Sequence, residues 1–302
     1  MRFNIALFAI ICISVVIGAM PVAPQDEEGV RGAFLTSRPK ERTSSTNSSS
    51  KPPSRRRPRP VASTESKKNP VTPNTNSGSS TTTSTTKTRT KVNATRMGLG
   101  LTLFMRDSNG LAVRTDPTHV FQKGDRVRVL LETNTDGYLY IFNTTNDGPP
   151  VMVYPDADLD EAGNYLQAHI PFEIPSSTAA EERLRWLVFD ENAGDEHLFF
   201  VFTKEPLAGV PIEDDLINYC RAAKASCPFR PGKEIWARVM TQMNEPLQSD
   251  RSARFGSAQT AAEQQASTRG IGLAKDDPEP SLIMMASSTS STLVTSLDLI
   301  HR

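Results

Sequence analysis

The sequence predicts a mostly β protein: an antiparallel β-sandwich, immunoglobulin-like or related, with one short helix and a disordered linker in front of it. Three observations lead there. From residue 99 onward, short apolar stretches alternate with polar positions at a period of two, the pattern of a strand with one face buried. Clusters of Gly, Pro, Asn and Asp separate these stretches at short intervals, as turns do. Residues 36–96, by contrast, are Ser, Thr, Pro, Asn, Lys and Arg with almost no large apolar side chain, too little apolar surface to offset the entropy of ordering.

The chain begins with Arg2 and an apolar run at residues 5–19 (IALFAIICISVVIGA). A positive start followed by such a run predicts an export signal, residues 1–19, cleaved near Ala19. The run falls short of the roughly twenty residues that a membrane-spanning helix needs, so an uncleaved N-terminal membrane anchor is the lesser alternative. Cys12 stands in mid-run behind Ile10 and Ile11, without the small residues that precede a lipoprotein cysteine. The expected location is the periplasm, the cell surface or the medium.

Residues 20–96 read as the linker, and charge sets it apart. Residues 38–96 hold fourteen Lys and Arg against two Glu, whereas residues 97–302 hold eighteen basic against twenty-nine acidic residues. This is an acidic domain on a basic tether. The tether reads as a solubilising spacer that crosses the envelope; contact with anionic surfaces, whether polymers or lipid headgroups, is the competing reading. No aromatic residues interleave with the basic ones to stack bases, which argues against nucleic acid.

The domain is expected over residues 97–302, with its core at 118–207. Residues 101–105 (LTLFM) and 111–115 (LAVRT) flank Asn109-Gly110 and predict a hairpin. Residues 126–133 (RVRVLLET) and 138–143 (YLYIFN) predict a second, around a turn at 134–137. A short strand at 151–154, a polar loop at 155–164 and a return to the sheet at 165–174 follow. Residues 184–189 (LRWLVF) and 197–203 (HLFFVFT) are apolar enough for interior strands. Pro211 and Ile212 open the helix; Glu213, Asp214 and Asp215 in its first turn and Lys224 at its end complement the helix dipole. Residues 235–240 (IWARVM) predict a further strand or extended segment, and 242–266 a polar stretch that is partly disordered or weakly helical. Residues 281–286 (SLIMMA) and 292–300 (TLVTSLDLI) predict a closing hairpin that carries the sheet to the end of the chain.

Few residues carry chemistry. Asp156, Asp158 and Asp160 have the first three spacings of a calcium loop, but Glu161 and Gln167 stand where such a loop wants Gly and Glu; a solvated acidic turn is the stronger reading. Asp190, Glu191, Asp195 and Glu196 form a similar acidic loop. His119, His169, His197 and His301 are scattered without zinc spacing and read as structural. Cys220 and Cys227 remain once the signal is removed and predict a disulfide, with two half-buried free thiols as the alternative. That bridge requires the helix to end before Cys227, because unbroken helix would hold the two Cα atoms about 10 Å apart, and Pro228 agrees. It also removes a Cys/His nucleophile pair with His197. Tyr138, Tyr140 and Phe142 alternate on one face and read as core rather than as a carbohydrate or peptide groove. No nucleophile elbow, phosphate loop or cofactor motif is present, so no catalytic, cofactor-binding or firm metal residue is assigned. A hydrolase can be drawn only from carboxylates among Asp125, Asp156, Asp158 and Asp190, and only if two of them stand about 5 to 10 Å apart.

Gly124-Asp125 before a strand, Gly137 to Tyr140 within one, the turn Tyr154-Pro155-Asp156, Ile174-Pro175 at a strand end and Pro206-Leu207 at the close resemble the pattern of the bacterial domain of unknown function 4384. The resemblance is strong over roughly a third of the chain. It implies a β-rich, often exported module that is joined in other proteins to varied partners, caspase-like peptidases among them, with no established activity. The function expected is a non-enzymatic binding or scaffolding module of the cell envelope, docking a protein or polymer partner along a strand edge. A hydrolase acting on a cell-surface polymer and an anchor working through the basic linker are the alternatives, and fold analogy decides none of them.

Overall fold

Strand β1 (Gly98–Arg106) shows the principle of the fold. Leu99, Leu101 and Leu103 are buried on one face while Gly98, Gly100, Thr102 and Phe104 lie on the other, the two-residue period of a pleated strand. The computed structural model describes residues 27–42, 96–157, 163–222, 227–287 and 289–302. The expected signal at 1–19 and most of the expected linker lie outside the described residues.

Two sheets pack face to face. In the first, β11 (Gln248–Arg251), β12 (Leu282–Met285), β1, β4 (Arg126–Thr133) and β8 (Phe172–Ile174) follow in that order, with β2 (Ala112–Arg114) on β1 and β9 (Leu187–Val188) on β4. The second runs β3 (Val120–Phe121), β13 (Thr292–His301), β10 (Gly194–Thr203), β5 (Gly137–Thr145) and β6 (Val151–Tyr154), with β7 (Tyr165–Leu166) on β5. Every pairing is antiparallel except β3 with β13. Leucine, valine and phenylalanine side chains from both inner faces, Leu101, Val129, Leu139, Phe200, Phe202 and Leu293 among them, fill the space between. The mostly β sandwich expected from the alternation is the fold observed, and it runs to the end of the chain.

The pairing differs from expectation at two of three hairpins. β1 and β2 pair as expected. β4 and β5, however, lie in different sheets, as do β12 and β13. At the first of these corners Asn134 ties the chain to β1: its Oδ1 accepts from Gly98 N at 2.6 Å and its Nδ2 donates to Arg96 O at 2.9 Å. Gly137 then meets β10 so closely that a Cβ would stand 2.5 Å from Thr203 O. The stretch 184–189 also departs from an interior strand, forming a 3-10 turn at Glu182–Arg185 before the two residues of β9. Arg128 explains it. Its guanidinium stacks on Trp186 at 4.1 Å and donates to Arg185 O at 2.9 and 3.1 Å, which satisfies a carbonyl that a continuous strand would offer to a neighbour.

Helices cover both outer faces, so the expectation of one short helix is corrected to four among the described residues. Helix α2 (Glu213–Ala222) is the expected one. Helix α3 (Lys233–Met243) replaces the strand expected at 235–240, because Ile235, Trp236, Val239 and Met243 share a face that packs on Tyr140 and Phe142 of β5. Tyr138, Tyr140 and Phe142 are accordingly core, as expected, in a second apolar cluster outside the sandwich. Helix α4 (Ala261–Arg269) starts with a Thr260/Glu263 capping box and ends at Gly270 in left-handed conformation. Helix α1 (Glu27–Leu35) falls inside the stretch expected to be linker. Val30 and Phe34, four residues apart on one helix face, are buried against Ile283 and Met285 of β12. Gly98 and Gly100 make room for the Phe34 ring: a Cβ at Gly98 would lie 2.7 Å from it. Residues 27–42 therefore belong to the folded domain, and residues 43–95 lie outside the described residues.

Candidate functional site

The sandwich is open at one end. β8 and β9 share the far edge of β4, pairing with Val129–Leu131 and Arg126–Val127 respectively, and β5 and β6 shift register between Ile141 and Phe142. Such short edge strands leave a cleft of about 620 Å³ between the sheets. Val127, Val129 and Ile174 line it from the first sheet; Ile141, Leu198 and Phe200 line it from the second.

Strand parity makes the mouth polar. On the inner face of β5, buried Leu139 and Ile141 give way to Asn143 and Thr145; on β10, Phe200 and Leu198 give way to Glu196. Glu196 pairs with Thr145 across the ladder. Its Oε2 accepts from Asn143 Nδ2 at 2.8 Å and from Thr145 Oγ1 at 2.9 Å, while Asn143 Oδ1 is buried with no hydrogen-bond partner. Asp156, Asp190 and His301 complete the polar lining. The backbone N–H and the side-chain amide of Asn192 hold the Asp190 carboxyl below the usual carboxylate range.

The residues expected to carry chemistry separate. Asp156 and Asp190 come to this cleft, but Asp125 lines a shallow depression beside the β1–β2 turn, where its Oδ2 accepts from Gln122 N. Asp158 and Asp160 of the calcium spacing, with Glu161, lie outside the described residues. Among the described residues no three His, Cys, Asp or Glu side chains are grouped to hold a metal ion. Cys220 and Cys227 are bonded to each other, with their Cα atoms 5.3 Å apart, closer than unbroken helix would hold them. His119 packs edge-on against Phe121, and His197 bonds Asp298 at 2.8 Å. Asn143, Thr145 and Glu196 were not expected as a group. The signal in the sequence is a polar residue at inward parity at the end of each of two apolar strands.

A second constellation joins residues 27–42 to the outer face of the first sheet. Ser37 Oγ lies 2.7 Å from His169 Nε2, and His169 Nδ1 lies 2.7 Å from Glu132 Oε1. That chain has the order of nucleophile, base and orienting carboxylate. Two features oppose catalysis. Ser37 follows the C-terminal end of α1, and its Oγ is 3.0 Å from Phe34 O, so an oxyanion there would meet carbonyls and the negative end of the helix dipole instead of N–H donors. The Glu132 carboxylate is also engaged by Arg38. The arrangement serves as a latch. Arg31 adds ion pairs to Asp250 and Glu279, and Arg42 adds one to Asp277.

No curated protein and no solved structure matches the chain. A family model described as a domain of unknown function (DUF4384) matches residues 120–206. That stretch runs from β3 to the loop after β10 and so holds most of the cleft's walls, while β1, β12, β13 and the helices lie outside it. Residues 120–206, a little under a third of the chain, are thus similar to the DUF4384 family, as the pattern from Gly124-Asp125 to Pro206-Leu207 led us to expect.

Proposed function

We propose that the protein is an exported binding module of the cell envelope, without a catalytic role, and that its ligand occupies the cleft between the sheets. The observation that carries the reading is the cleft itself: a space of about 620 Å³ with apolar walls and a few polar groups converging at the mouth, the usual constitution of a small-molecule site. Strand edges support docking less well, since β3, β7 and β9 are two residues long and offer few backbone groups for an added strand. Export rests on the signal pattern at residues 1–19 and is supported by the Cys220–Cys227 bridge. Among the described residues no helix is long and apolar enough to cross a membrane.

The reading is tested by titrating the full chain with an environment-sensitive apolar dye and repeating the titration with Leu198→Trp, which fills the cleft. Saturable binding by the native protein that Leu198→Trp abolishes supports it; equal binding by both would place the dye elsewhere and reject the cleft.

A second reading, a hydrolase of surface polymers, draws on one observation: Asp156 and Asp190 line the same cleft. An acid catalyst needs a raised pKa, and Asp190 is held below the usual range. Turnover of envelope polysaccharides by the purified protein, lost in Asp190→Asn, would favour this reading over the first.

A further inference from the structure

We infer that the occupant of the cleft is an amphiphile with a single apolar chain and a cationic head that stays at the mouth. The inference rests on the cleft being the ligand site and goes on to name the ligand's chemistry. The walls come first. Val129, Ile141, Leu198 and Phe200 offer an approaching molecule nothing to hydrogen-bond, so what enters must be apolar. Packed sheets stand about 10 Å apart, which leaves a slot about one hydrocarbon chain thick where side chains do not meet.

Parity then fixes the direction. Both β5 and β10 turn polar at the same end of the cleft, at Asn143, Thr145 and Glu196; the chain enters tail first and its head remains among them. The chemistry of the mouth fixes the head. Glu196, Asp156 and Asp190 contribute carboxylates, and among the described residues no Lys or Arg lines the cleft. Two cations near the mouth have acidic partners of their own: Lys123 pairs with Glu191 at 3.2 Å and Arg302 with Asp195 at 2.7 Å. His301, buried beside Phe189, supplies the imidazole. Asn143 Oδ1 is a buried acceptor without a donor, and such a group gains most from a ligand that donates. An ammonium or guanidinium head donates and carries the complementary charge. A carboxylate or phosphate head would face carboxylates on three loops or strands, which selects against it.

The test is calorimetric titration of the full chain with dodecylammonium, dodecanol and dodecanoate, each below its micelle-forming concentration. The expected order is dodecylammonium tightest and dodecanoate weakest, with about a tenfold or larger gap between them that narrows as salt rises. Glu196→Gln is expected to narrow the gap between ammonium and alcohol, and Asp190→Asn, on a different loop, makes the same test should Glu196→Gln fail to fold. Equal affinity for all three, or dodecanoate tightest, overturns the cationic head while leaving the cleft as the ligand site. Binding of none of them overturns the cleft reading and this inference together.

Discussion

Arg38 grips Glu132 with both arms of its guanidinium, Nε to Oε1 at 2.8 Å and Nη2 to Oε2 at 2.5 Å, although 94 positions separate the two residues in the chain. Both side chains are almost fully buried, at 0% and 3% exposure. The guanidinium also donates to the carbonyls of Ala274, Asp277 and Pro278. Removing one partner of a buried pair strands the other charge, a cost of about 3 to 5 kcal/mol. Arg38→Ala is therefore expected to destabilise the full chain by roughly 3 kcal/mol in urea denaturation. A loss under about 1 kcal/mol would be what surface ion pairs show, and would mean that residues 27–42 do not dock as described.

Acid should loosen the same segment. Burial alone would raise the Glu132 pKa, but hydrogen bonds from His169 and Arg38 outweigh it and hold the carboxyl below its ordinary 4.5. The hydrogen bond from Arg42, against the pull of burial and helped by Ala274 N, holds Asp277 below its ordinary 3.8. A depressed carboxylate contributes stability that is fully present above its unfolded value and is lost as pH falls through the folded one. Amide exchange, corrected for its intrinsic pH dependence, should show residues 30–38 protected at neutral pH and losing protection below about pH 4, before β4 and β10 do. Simultaneous loss in all three would mean that the segment is not a separable unit.

Ser37 should be unreactive. Its hydroxyl sits among the carbonyls at the end of α1, with no helix N-terminus to stabilise an oxyanion. Incubation with a fluorophosphonate followed by mass spectrometry is expected to give no adduct at Ser37, and Ser37→Ala should cost about 1 kcal/mol, the worth of a hydrogen bond. An adduct that disappears in His169→Gln would turn the latch into an active site.

Part of this architecture is legible in the sequence and part is not, for identifiable reasons. Alternation at 101–105, 126–133, 138–143, 197–203 and 292–300 locates the long strands correctly, since the period follows from one face being buried. It says nothing of which strand is the neighbour, so β4–β5 and β12–β13 look like hairpins though each pair crosses between sheets. The helix at Lys233–Met243 is hidden because six residues, IWARVM, fit either period; only on reaching Met243 does the helical spacing separate from the extended one. The helix at Glu27–Leu35 is hidden by its brevity: its Val30 and Phe34 anchors stand just ahead of a long basic, polar stretch, and their pocket is made by Gly98, Gly100 and Pro280, distant in sequence. Glu132 at outward parity on β4 looks solvated, and nothing local reveals that Arg38 covers it. In the cleft, the polar ends of β5 and β10 are readable, but their juxtaposition depends on the register of Glu196 with Thr145.

The glycines beneath α1 give a prediction independent of charge. A Cβ at Gly100 would stand 2.4 Å from Pro280 Cγ and 3.2 Å from the Phe34 ring. Overpacking of this kind costs about 1 to 3 kcal/mol, and here the groove can relieve it by releasing the helix. Gly100→Val is expected to lower the unfolding midpoint and expose residues 27–38 to limited proteolysis, leaving β4 and β5 resistant. Unchanged cleavage at 27–38 would show that Phe34 does not occupy the groove.

The Cys220–Cys227 bridge bears on the cleft. It ties the end of α2 to Pro228, which lines the cleft, and to Phe229, whose carbonyl accepts from Met152 N at 2.8 Å on β6. A loop this short contributes about 2 kcal/mol when closed, so reductant should lower the melting temperature of the native chain and leave the Cys220→Ser/Cys227→Ser variant unaffected. Reduction should also speed amide exchange at Met152, because the segment that bonds it then loses its covalent tie to α2 and relies on packing, including that of Phe229 against Tyr219 at 5.5 Å. A melting temperature indifferent to reductant would mean that the thiols are not joined, and with them would go the support that the bridge lends to export.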